Sequence, residues 1–526
     1  MTGREARSVK LTIRDIFDDA VRTQGARTFL RHHDGTAWRE LSYSAARDRI
    51  VRTLAVLLKR GLDAGAPDGY RARVAIMAEN SPDWIVAYLA ATGCGFVVVP
   101  VDPKLTSSEA RHILGDSGAS VVVADRRAEP VVEAAGYGAR ALYADELETA
   151  LAALEPADVE AAGRFWQDHL PQADDLASIV YTSGTTGKPK GAMLSHGNFT
   201  SNVDQTFPRV MFYGEDRFLL VLPLFHVFAF TMSFLLPLRK QAEISFARSV
   251  RSIVPDMLEL KPTVLMAVPL LTEMLYARAR DIICTLRVLG VGGAPISKAT
   301  LEGLRAAKVF VVEGYGITEC SPGVSFPDEH RYVPGTVGTP LDGMEWRIVN
   351  SDETGAGELR VKGPNVTRGY WNNPVETAKA FDADGFYCTG DIVRTGLNGN
   401  LSVCGRTKAL IVNREGKNIY PEEIERVIAR CPSVSDVIVV GYRVGGETGE
   451  HVGAIVVPNV EAFRTDGRTP SGDEMASVVR QEVREACHAS LAEYKLPRKV
   501  NVRFVPLEHT SSMKVKRFIY ARALDE

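Results

Sequence analysis

Apolar runs alternate with amphipathic stretches through the first part of the chain. The apolar runs predict strands at 72–77, 95–100 and 119–124. Helices are predicted at 83–91 and 107–114, and positions 38–60 carry apolar residues at helical spacing. Residues 127–172 are rich in Ala and Glu and receive no assignment. The alternation of strands and helices predicts an α/β fold with a doubly wound, mostly parallel sheet.

The same pattern returns later in the chain. Further short strands are predicted at 217–222, 243–246, 264–268, 287–291 and 309–312. From about Val337 the pattern changes to short alternating strands with glycine turns. Pro421 is predicted to begin a charged helix, and strands are expected at 437–440 and 452–457. A second layer of strands and helices and a small α+β domain therefore follow, with a boundary between 405 and 409.

The stretch 218–238 is nearly free of charge and long enough to suggest a transmembrane helix. It is interrupted by Pro223, His226 and Pro237. We therefore interpret it as a buried strand and helix of a soluble core, and no transmembrane segment is predicted.

The amino-acid composition limits which classes of protein this chain can belong to. The chain has 526 residues, of which 45% are hydrophobic and 24% charged, as in soluble multidomain proteins. A formal charge of -3 argues against general nucleic-acid binding. The seven cysteines are scattered and the N-terminus has no apolar signal-peptide core. These features predict a cytoplasmic protein without a disulfide framework or a zinc site.

The stretch 181–198 is the richest in phosphate-binding residue types. Glycines at 184 and 187 let backbone N–H groups point at an anion, and hydroxyl and ammonium groups surround them. Pro189 stands where a Walker A loop requires Ser or Thr, and only two residues separate the glycines, so the Walker A motif is excluded. A plain turn between strands stays open as the alternative. The favoured interpretation is a loop that holds a nucleoside triphosphate.

Eight motifs occur along the chain in one order, and together they resemble the adenylate-forming superfamily of acyl-CoA synthetases, adenylation domains and luciferases. They are YTSGTTGKPKG at 181–191, PLFH at 223–226, GGAP at 292–295, GYGITE at 314–319, YCTGD at 387–391, GRTKALI at 405–411, GKNIYPEEIE at 416–425 and TSSMKVKR at 510–517. The resemblance covers nearly the whole chain.

The resemblance implies two domains. Residues 1–407 would form the N-terminal adenylate-forming domain, which holds ATP and the acyl substrate and includes a distorted β-barrel-like subdomain. Residues 408–526 would form a small, mobile α+β domain that carries the catalytic lysine. Lys408 matches the hinge position, about which the C-terminal domain would rotate after adenylation.

The resemblance also implies an ATP site with Mg²⁺. Glu319 would be the magnesium ligand, because a hard cation prefers carboxylate oxygen. Asp391, assisted by Arg406, would accept hydrogen bonds from the ribose, although an aspartate after glycine is also a common turn residue. Thr185, Thr186 and Lys190 would contact the β- and γ-phosphates. The remaining predicted nucleotide contacts are Thr182, Ser183, Gly184, Gly187, Gly293, Ala294, Glu313, Gly314, Tyr315, Gly316 and Thr318.

Lys514 is, by resemblance, the lysine that bridges the carboxylate and the α-phosphate. The family usually has glycine where this chain has Met513, so the conformation of this motif stays open. His226 matches the position of an aromatic gate between the acyl and pantetheine channels, with a structural histidine as the alternative. The predicted catalytic residues are Lys514, Glu319, Thr185, Lys190 and His226.

The acid is predicted from the segment after His226. Residues 218–238 contain no Asp or Glu to pair with a substrate ammonium, which disfavours an amino acid. Phe228, Phe230 and Gly292 are predicted to line an acyl pocket, and the segment resembles medium- and long-chain fatty acid ligases. A plain core role for these aromatic residues is left open.

The thiol acceptor is predicted to be coenzyme A or the phosphopantetheine of an acidic acyl carrier protein. Eight basic residues surround a single acid, Glu508, near the C-terminus and suit either partner. They are Lys495, Arg498, Lys499, Arg503, Lys514, Lys516, Arg517 and Arg522. The leading hypothesis is an ATP-dependent fatty acyl ligase, a monomer or homodimer, resembling acyl-CoA synthetases and acyl-acyl carrier protein ligases. An aryl-acid CoA ligase and a non-catalytic acyl-nucleotide sensor are the alternatives.

Overall fold

A computed structural model gives the fold of the chain. It describes residues 11–62, 71–182, 188–294, 296–329, 332–415, 417–444, 449–464, 470–509 and 515–525. The chain forms two compact units. The first comprises Met1–Trp346, Val361–Tyr387 and Leu397–Leu401, and the second comprises Arg347–Arg360, Cys388–Gly396 and Ser402–Glu526. The predicted α/β fold, with parallel sheets in a large N-terminal part and a smaller C-terminal part, is confirmed.

The strands before residue 200 belong mainly to one six-stranded sheet. Chain order gives β1 (Thr28–His33), β2 (Trp38–Ser42), β3 (Arg73–Met77), β4 (Val97–Pro100), β5 (Val121–Ala124), β6 (Ala141–Tyr143), β7 (Leu176–Thr182) and β8 (Lys190–Ser195). The spatial order is β6-β5-β3-β4-β7-β8, and only the last pair, β7 with β8, is antiparallel. Strands β3, β4 and β5 are buried along their whole length, which explains their continuous Val, Ile and Ala runs.

Most of the helices of this region begin at side-chain caps. They are α1 (Ile13–Gln24), α2 (Tyr43–Lys59), α3 (Pro82–Thr92), α4 (Ser107–Ser117), α5 (Glu129–Ala134), α6 (Ala144–Ala152), α7 (Pro156–Asp168) and α8 (His196–Thr206). Thr12 and Ser195 each accept a hydrogen bond from the backbone N–H three residues later, and α3 begins with Pro82 after the cap Ser81. These caps fix where the capped helices begin.

A second, seven-stranded sheet follows. It adds β9 (Arg217–Leu220), β10 (Glu243–Phe246), β11 (Val264–Ala267), β12 (Val288–Val291) and β13 (Phe310–Glu313). The spatial order is β13-β12-β11-β9-β10-β1-β2, and its neighbours are parallel except β1 and β2. The associated helices are α9 (Val227–Ala229), α10 (Leu236–Lys240), α11 (Ile253–Leu260), α12 (Pro269–Arg278), α13 (Arg280–Ile283) and α14 (Lys298–Ala306), with a π-helical segment at Phe230–Leu235. The predicted second layer is thereby confirmed.

Smaller sheets complete the described chain. The remaining strands are β14 (Tyr315–Gly316), β15 (Gly323–Phe326), β16 (Thr339–Pro340), β17 (Glu345–Val349), β18 (Gly357–Lys362), β19 (Tyr387–Thr395), β20 (Leu401–Arg406), β21 (Ile411–Val412), β22 (Asn418–Ile419), β23 (Val434–Tyr442), β24 (His451–Pro458) and β25 (Lys499–Val502). The remaining helices are α15 (Pro374–Ala380), α16 (Pro421–Ile428), α17 (Gly472–Ser490) and α18 (Arg517–Tyr520). Within the second unit, α16 and α17 pack on the sheet β23-β24-β25 around Ile424, Val439 and Val483.

Two local expectations need correction or completion, and a third is met. Positions 38–60 begin with strand β2 and become helix only at Tyr43, where Ser42 serves as the cap. The unassigned residues 127–172 contain β6 and helices α5 to α7. No described helix is long and apolar enough to cross a membrane. Residues 218–238 contain the end of β9 and three consecutive helical segments, as the interpretation of a buried strand and helix requires.

Candidate active site

The predicted phosphate loop connects two paired strands. Strand β7 ends at Thr182 and β8 begins at Lys190, and these two residues are antiparallel partners. The loop therefore follows the carboxyl end of β7, where α/β proteins bind ligands, and it also closes a hairpin. Its residues Ser183, Gly184, Thr185, Thr186 and Gly187 lie outside the described residues.

Lys190 is held at the base of this hairpin. Its ammonium forms an ion pair with Glu376 on α15, and its side chain is only 15% exposed. Its Nζ also lies 5.5 Å from the centre of the Tyr370 ring. The hydrogen bond from Lys190, with a second from Lys379, lowers the pKa of Glu376 to about 2. The carboxylate is thus charged throughout the neutral range, so the ion pair persists there.

Glu319 lies in a 3₁₀ turn at Thr318–Cys320, directly after the short strand β14. Its Oε1 accepts a hydrogen bond of 2.8 Å from the Tyr370 hydroxyl. Its backbone carbonyl accepts a bond of 2.7 Å from Thr367 N–H, which ties the turn to the segment before α15. The carboxylate is half-buried and therefore held in place while still reachable.

The motif implies a Mg²⁺ ion, and the side chains near Glu319 show whether suitable ligands are present. Magnesium is commonly held by one or two carboxylates together with substrate phosphates. No group of three or more His, Cys, Asp and Glu that could hold a metal occurs among the described residues. The Glu319 carboxylate alone fits a Mg²⁺ ion whose other ligands are phosphate oxygens.

The glycines of the GYGITE and GGAP motifs lie where another segment of the protein comes very close to their Cα atoms. A Cβ on Gly316 would lie 2.3 Å from the Pro322 carbonyl oxygen, and one on Gly314 would lie 2.6 Å from the Phe326 ring. Gly293 has a φ of +93°, a left-handed conformation that favours glycine. Gly292 donates to Ala267 O at 3.3 Å. The predicted contact residues Ala294, Tyr315 and Thr318 lie in these same segments.

Glu313 ends strand β13 and is buried. Its carboxylate accepts hydrogen bonds from Ile296 N–H at 3.3 Å and from the Tyr332 hydroxyl at 3.1 Å. Burial raises the pKa of Glu313 and opposes the lowering effect of these bonds and of Arg305. Arg305 lies 3.5 Å from the Tyr332 ring centre. Glu313 therefore links the end of β13 to the segments that contain Ile296 and Tyr332.

His226 and the aromatic residues after it differ in their surroundings, since some border a cavity and others pack in the core. His226 is half-buried, its ring centre lies 4.6 Å from that of Phe225, and its carbonyl accepts from Phe230 N–H. Phe228 lines a cavity and lies against Gly292, where an added Cβ would be 3.1 Å from the ring. Phe230 packs in a buried aromatic cluster, with ring centres 4.5 Å from Tyr88 and 5.0 Å from Phe199, and it borders a second cavity of only about 10 Å³. The core alternative thus describes Phe230 better than Phe228.

The predicted ribose contacts lie in the second unit. Asp391 in β19 is buried, and its Oδ1 lies 2.8 Å from Nε of Arg406, which is about half exposed. The N–H of Asp391 donates to Thr389 Oγ1 at 3.1 Å. Lys408 lies in an exposed 3₁₀ turn at Thr407–Ala409. Asp391 and Arg406 are therefore brought together, as a shared role requires.

The basic C-terminal region is less uniformly positive than its sequence suggests. Lys495 forms an ion pair of 2.7 Å with Glu423, and Arg517 forms one of 2.8 Å with Glu425. Arg498 and Arg522 are exposed. Lys514 lies outside the described residues. A partner of this surface would meet fewer net charges than the sequence alone indicates.

Tyr370, Tyr387 and Glu376 were missed by sequence reasoning. Tyr370 donates a hydrogen bond to Glu319, its ring centre lies 5.5 Å from Lys190 Nζ, and its hydroxyl lies 2.9 Å from that of Tyr387. Tyr387 opens the YCTGD motif, but nothing in the motif indicates which residue its hydroxyl meets. Within the first unit the structure thus joins the hairpin base, the predicted magnesium ligand and two tyrosines.

Comparison with known proteins places this chain in a family. The family model of the AMP-binding enzyme matches residues 17–371, and that of the AMP-binding enzyme C-terminal domain matches residues 423–514. A feruloyl-CoA synthase of an Amycolatopsis species is 32% identical over 486 residues, covering 89% of this chain and 90% of the relative. A long-chain-fatty-acid–CoA ligase of Salmonella typhimurium is 31% identical over 498 residues, covering 86% and 85%. The chain therefore belongs to the AMP-binding enzyme family.

The fold agrees with a solved structure of similar length. ATP-bound MatB from Rhodopseudomonas palustris superposes with a TM-score of 0.80 at 28% identity, covering 97% of this chain and 98% of that chain. The class of protein that fold and family define is the adenylate-forming CoA ligase, an ATP-dependent enzyme. The resemblance given by the eight sequence motifs is thereby confirmed.

Proposed function

We propose that the protein is a fatty acyl ligase that makes acyl-AMP and then an acyl thioester. The carboxylate of the acid attacks the α-phosphorus of ATP, a new O–P bond forms, and the bond to pyrophosphate breaks. A thiol then attacks the acyl carbonyl, a C–S bond forms, and AMP leaves with the electron pair of the broken C–O bond while the thiol proton is released. The acid is fatty, and the thiol belongs to coenzyme A or to a carrier-protein phosphopantetheine.

The observation that carries the proposed acid class is an apolar cavity in the first unit. It lies against Phe228 and against residues of the neighbouring strands β11, β12 and β13. Its lining residues are Thr206, Val210, Phe212, Phe228, Met232, Leu236, Met266, Val288, Gly290, Val291, Val312, Gly314 and Phe326. This lining has no charged side chain, so it suits an alkyl chain and would leave a substrate ammonium without a partner.

The cavity measures only about 30 Å³, so a chain of several methylene groups requires side chains to move. Met232 and Met266 are unbranched and flexible, and thioethers of this kind adapt readily to apolar ligands. The pocket would therefore lengthen by rearranging methionines without breaking polar contacts.

The adenylation chemistry would use the residues described above. Mg²⁺, when bound with ATP, supplies positive charge beside the phosphates, and Glu319 would hold it. Lys190, at the hairpin base, would contact the β- and γ-phosphates together with Thr185 and Thr186. Asp391 and Arg406 would hold the ribose, and Lys514 would join the carboxylate and α-phosphate. The division into domains at 407 and 408, with Lys408 as hinge, belongs to the same proposal.

A second candidate function is aryl-acid activation. The Amycolatopsis relative is named a feruloyl-CoA synthase, and three phenylalanines line the cavity: Phe212, Phe228 and Phe326. The two candidates differ in the acid that triggers pyrophosphate release. With ATP and Mg²⁺, medium- and long-chain fatty acids should release pyrophosphate faster than benzoates or ferulate. No acid-dependent release with any fatty acid would overturn the proposal, and faster release with aromatic acids would favour the aryl-acid ligase.

Gly290 offers a test of the cavity as the acyl pocket. Gly290 and Met266 are partners on β12 and β11, and a Cβ on Gly290 would lie 2.2 Å from the Met266 sulfur. Gly290→Ala should push the Met266 side chain into the cavity and shift the preferred fatty acid to shorter chains. We expect kcat/KM for the longest accepted acid to fall by about tenfold, the effect of roughly one to two lost methylene contacts.

The matched control is Gly163→Ala, since a Cβ at this site in α7 would meet nothing within 4 Å. It should leave the ranking of acids unchanged. An unchanged ranking in Gly290→Ala as well, with a normal melting temperature, would show that this cavity is not the acyl pocket.

A further inference from the structure

Tyr370 is fixed against the hairpin that carries the predicted phosphate loop. The Met193 N–H donates to Gly369 O at 3.0 Å, and the Trp371 N–H donates to Gly191 O at 2.7 Å. These two bonds flank Tyr370 on both sides and connect it to β8. The position of the ring therefore depends on the backbone of the hairpin.

Three groups converge on the Tyr370 side chain. Its hydroxyl donates to Glu319 Oε1 at 2.8 Å, and its oxygen lies 2.9 Å from the Tyr387 oxygen. A phenol has one proton to donate, so the bond to Glu319 leaves Tyr387 as the donor to Tyr370. The Lys190 ammonium lies 5.5 Å from the ring centre, within the range of a cation–π interaction.

We propose that Tyr370 is a positioning residue of the ATP site, which orients the Glu319 carboxylate through its hydroxyl and the Lys190 ammonium through its ring. The proposal rests on the proposed function, in which Glu319 holds Mg²⁺ and Lys190 contacts phosphate. Glu376 completes the arrangement, because it holds the same ammonium from α15. One side chain thus sets the distance between the metal ligand and the phosphate-binding cation.

The two halves of the side chain can be tested separately. Tyr370→Phe removes the hydroxyl, with its bonds to Glu319 and Tyr387, and keeps the ring, whereas Tyr370→Ala removes hydroxyl and ring. Binding of Mn²⁺ to the enzyme with saturating ATP, followed by electron paramagnetic resonance, reports on Glu319. Binding of ATP in excess chelator, followed by calorimetry, reports on Lys190.

Tyr370→Phe should raise the half-saturating Mn²⁺ concentration by about tenfold, the effect of one hydrogen bond to a charged group. It should leave metal-free ATP binding unchanged. Tyr370→Ala should weaken both. The Mg²⁺ dependence of pyrophosphate release should shift in parallel, with kcat restored at high Mg²⁺ in Tyr370→Phe.

Tyr43→Phe is the matched control, because the Tyr43 hydroxyl is also buried and donates to a carbonyl, that of Ala242, at 3.0 Å. It should bind Mn²⁺ like the wild type. Wild-type Mn²⁺ affinity in Tyr370→Phe, or an equal loss in Tyr43→Phe, would overturn the positioning role. Failure of the proposed function would show separately, as a wild-type enzyme without acid-dependent pyrophosphate release.

Discussion

Lys514→Ala should reduce acyl-AMP formation by about 100- to 1000-fold, the usual cost of removing one donor that stabilises transition-state charge. Attack of a carboxylate on the α-phosphate brings two anions together, and an ammonium between them offsets their repulsion. The measurement is single-turnover formation of acyl-AMP from ATP and a fatty acid. Thioester formation from preformed acyl-AMP and thiol should be nearly unchanged, because the proposed role of Lys514 ends with adenylation.

Lys516→Ala is the control for this prediction, because it removes a neighbouring ammonium of the same motif. It should keep adenylation within a small factor of wild type. Wild-type adenylation in Lys514→Ala would contradict the assigned mechanism. An equal loss in both variants would mean that the motif acts through its summed charge and not through one lysine.

Glu319→Gln should produce the second large loss. The amide keeps the size of the side chain and can still accept from Tyr370, but it lacks the charge that a hard cation requires. We expect kcat/KM for ATP to fall by at least about 100-fold at fixed Mg²⁺, comparable to the loss of a preorganised electrostatic contact. Steady-state pyrophosphate release at several Mg²⁺ concentrations measures the effect.

A remote glutamate provides the comparison. Glu302 lies on α14 and is 65% exposed, with Lys298 at 3.7 Å. Glu302→Gln should leave the Mg²⁺ dependence unchanged. If Glu319→Gln kept wild-type activity and Mg²⁺ dependence, another group would have to hold the metal.

Most parallel strands of the two large sheets were predictable because their burial is nearly continuous, whereas β1, β2, β6 and β8 were not predicted. A parallel strand that is covered on both faces has an uninterrupted run of apolar residues in its sequence. For β3, β4, β5 and β10 to β13, the predicted bounds agree with the observed ones to within a few residues. Strand β2 was missed, since Trp38–Ser42 contains the exposed residues Arg39 and Glu40 and has no fully buried residue at its edge of the sheet. Periodicity carries little information where neither face is buried.

The site was predictable only where a motif carries it. Glu319 and Asp391 follow from their motifs, and the structure places each against a specific partner. Tyr370 and Glu376 lie 51 and 186 residues from the groups they contact, Glu319 and Lys190, and no local pattern marks such pairs. These long-range contacts form only because the segment before α15 packs against β8 in the folded protein.

The predicted basic surface also depends on contacts between residues that are far apart in the sequence. Sequence counts Lys495 and Arg517 as free charges, but the fold brings Glu423 and Glu425 of α16 against them. Both pairs join residues more than 70 positions apart. Net charge along a segment therefore overestimated the field that a carrier protein or the phosphates of coenzyme A would meet.

The most direct test is a competitive thioester assay resolved by mass. Purified protein would receive ATP, Mg²⁺, an equimolar mixture of fatty and aromatic acids, and coenzyme A together with holo acyl carrier protein. We expect fatty acyl thioesters as the main product, with one AMP and one pyrophosphate per thioester, and the product mass identifies the acceptor. Thioesters of the aromatic acids alone, or ATP consumption without any fatty acyl product, would contradict the proposed function.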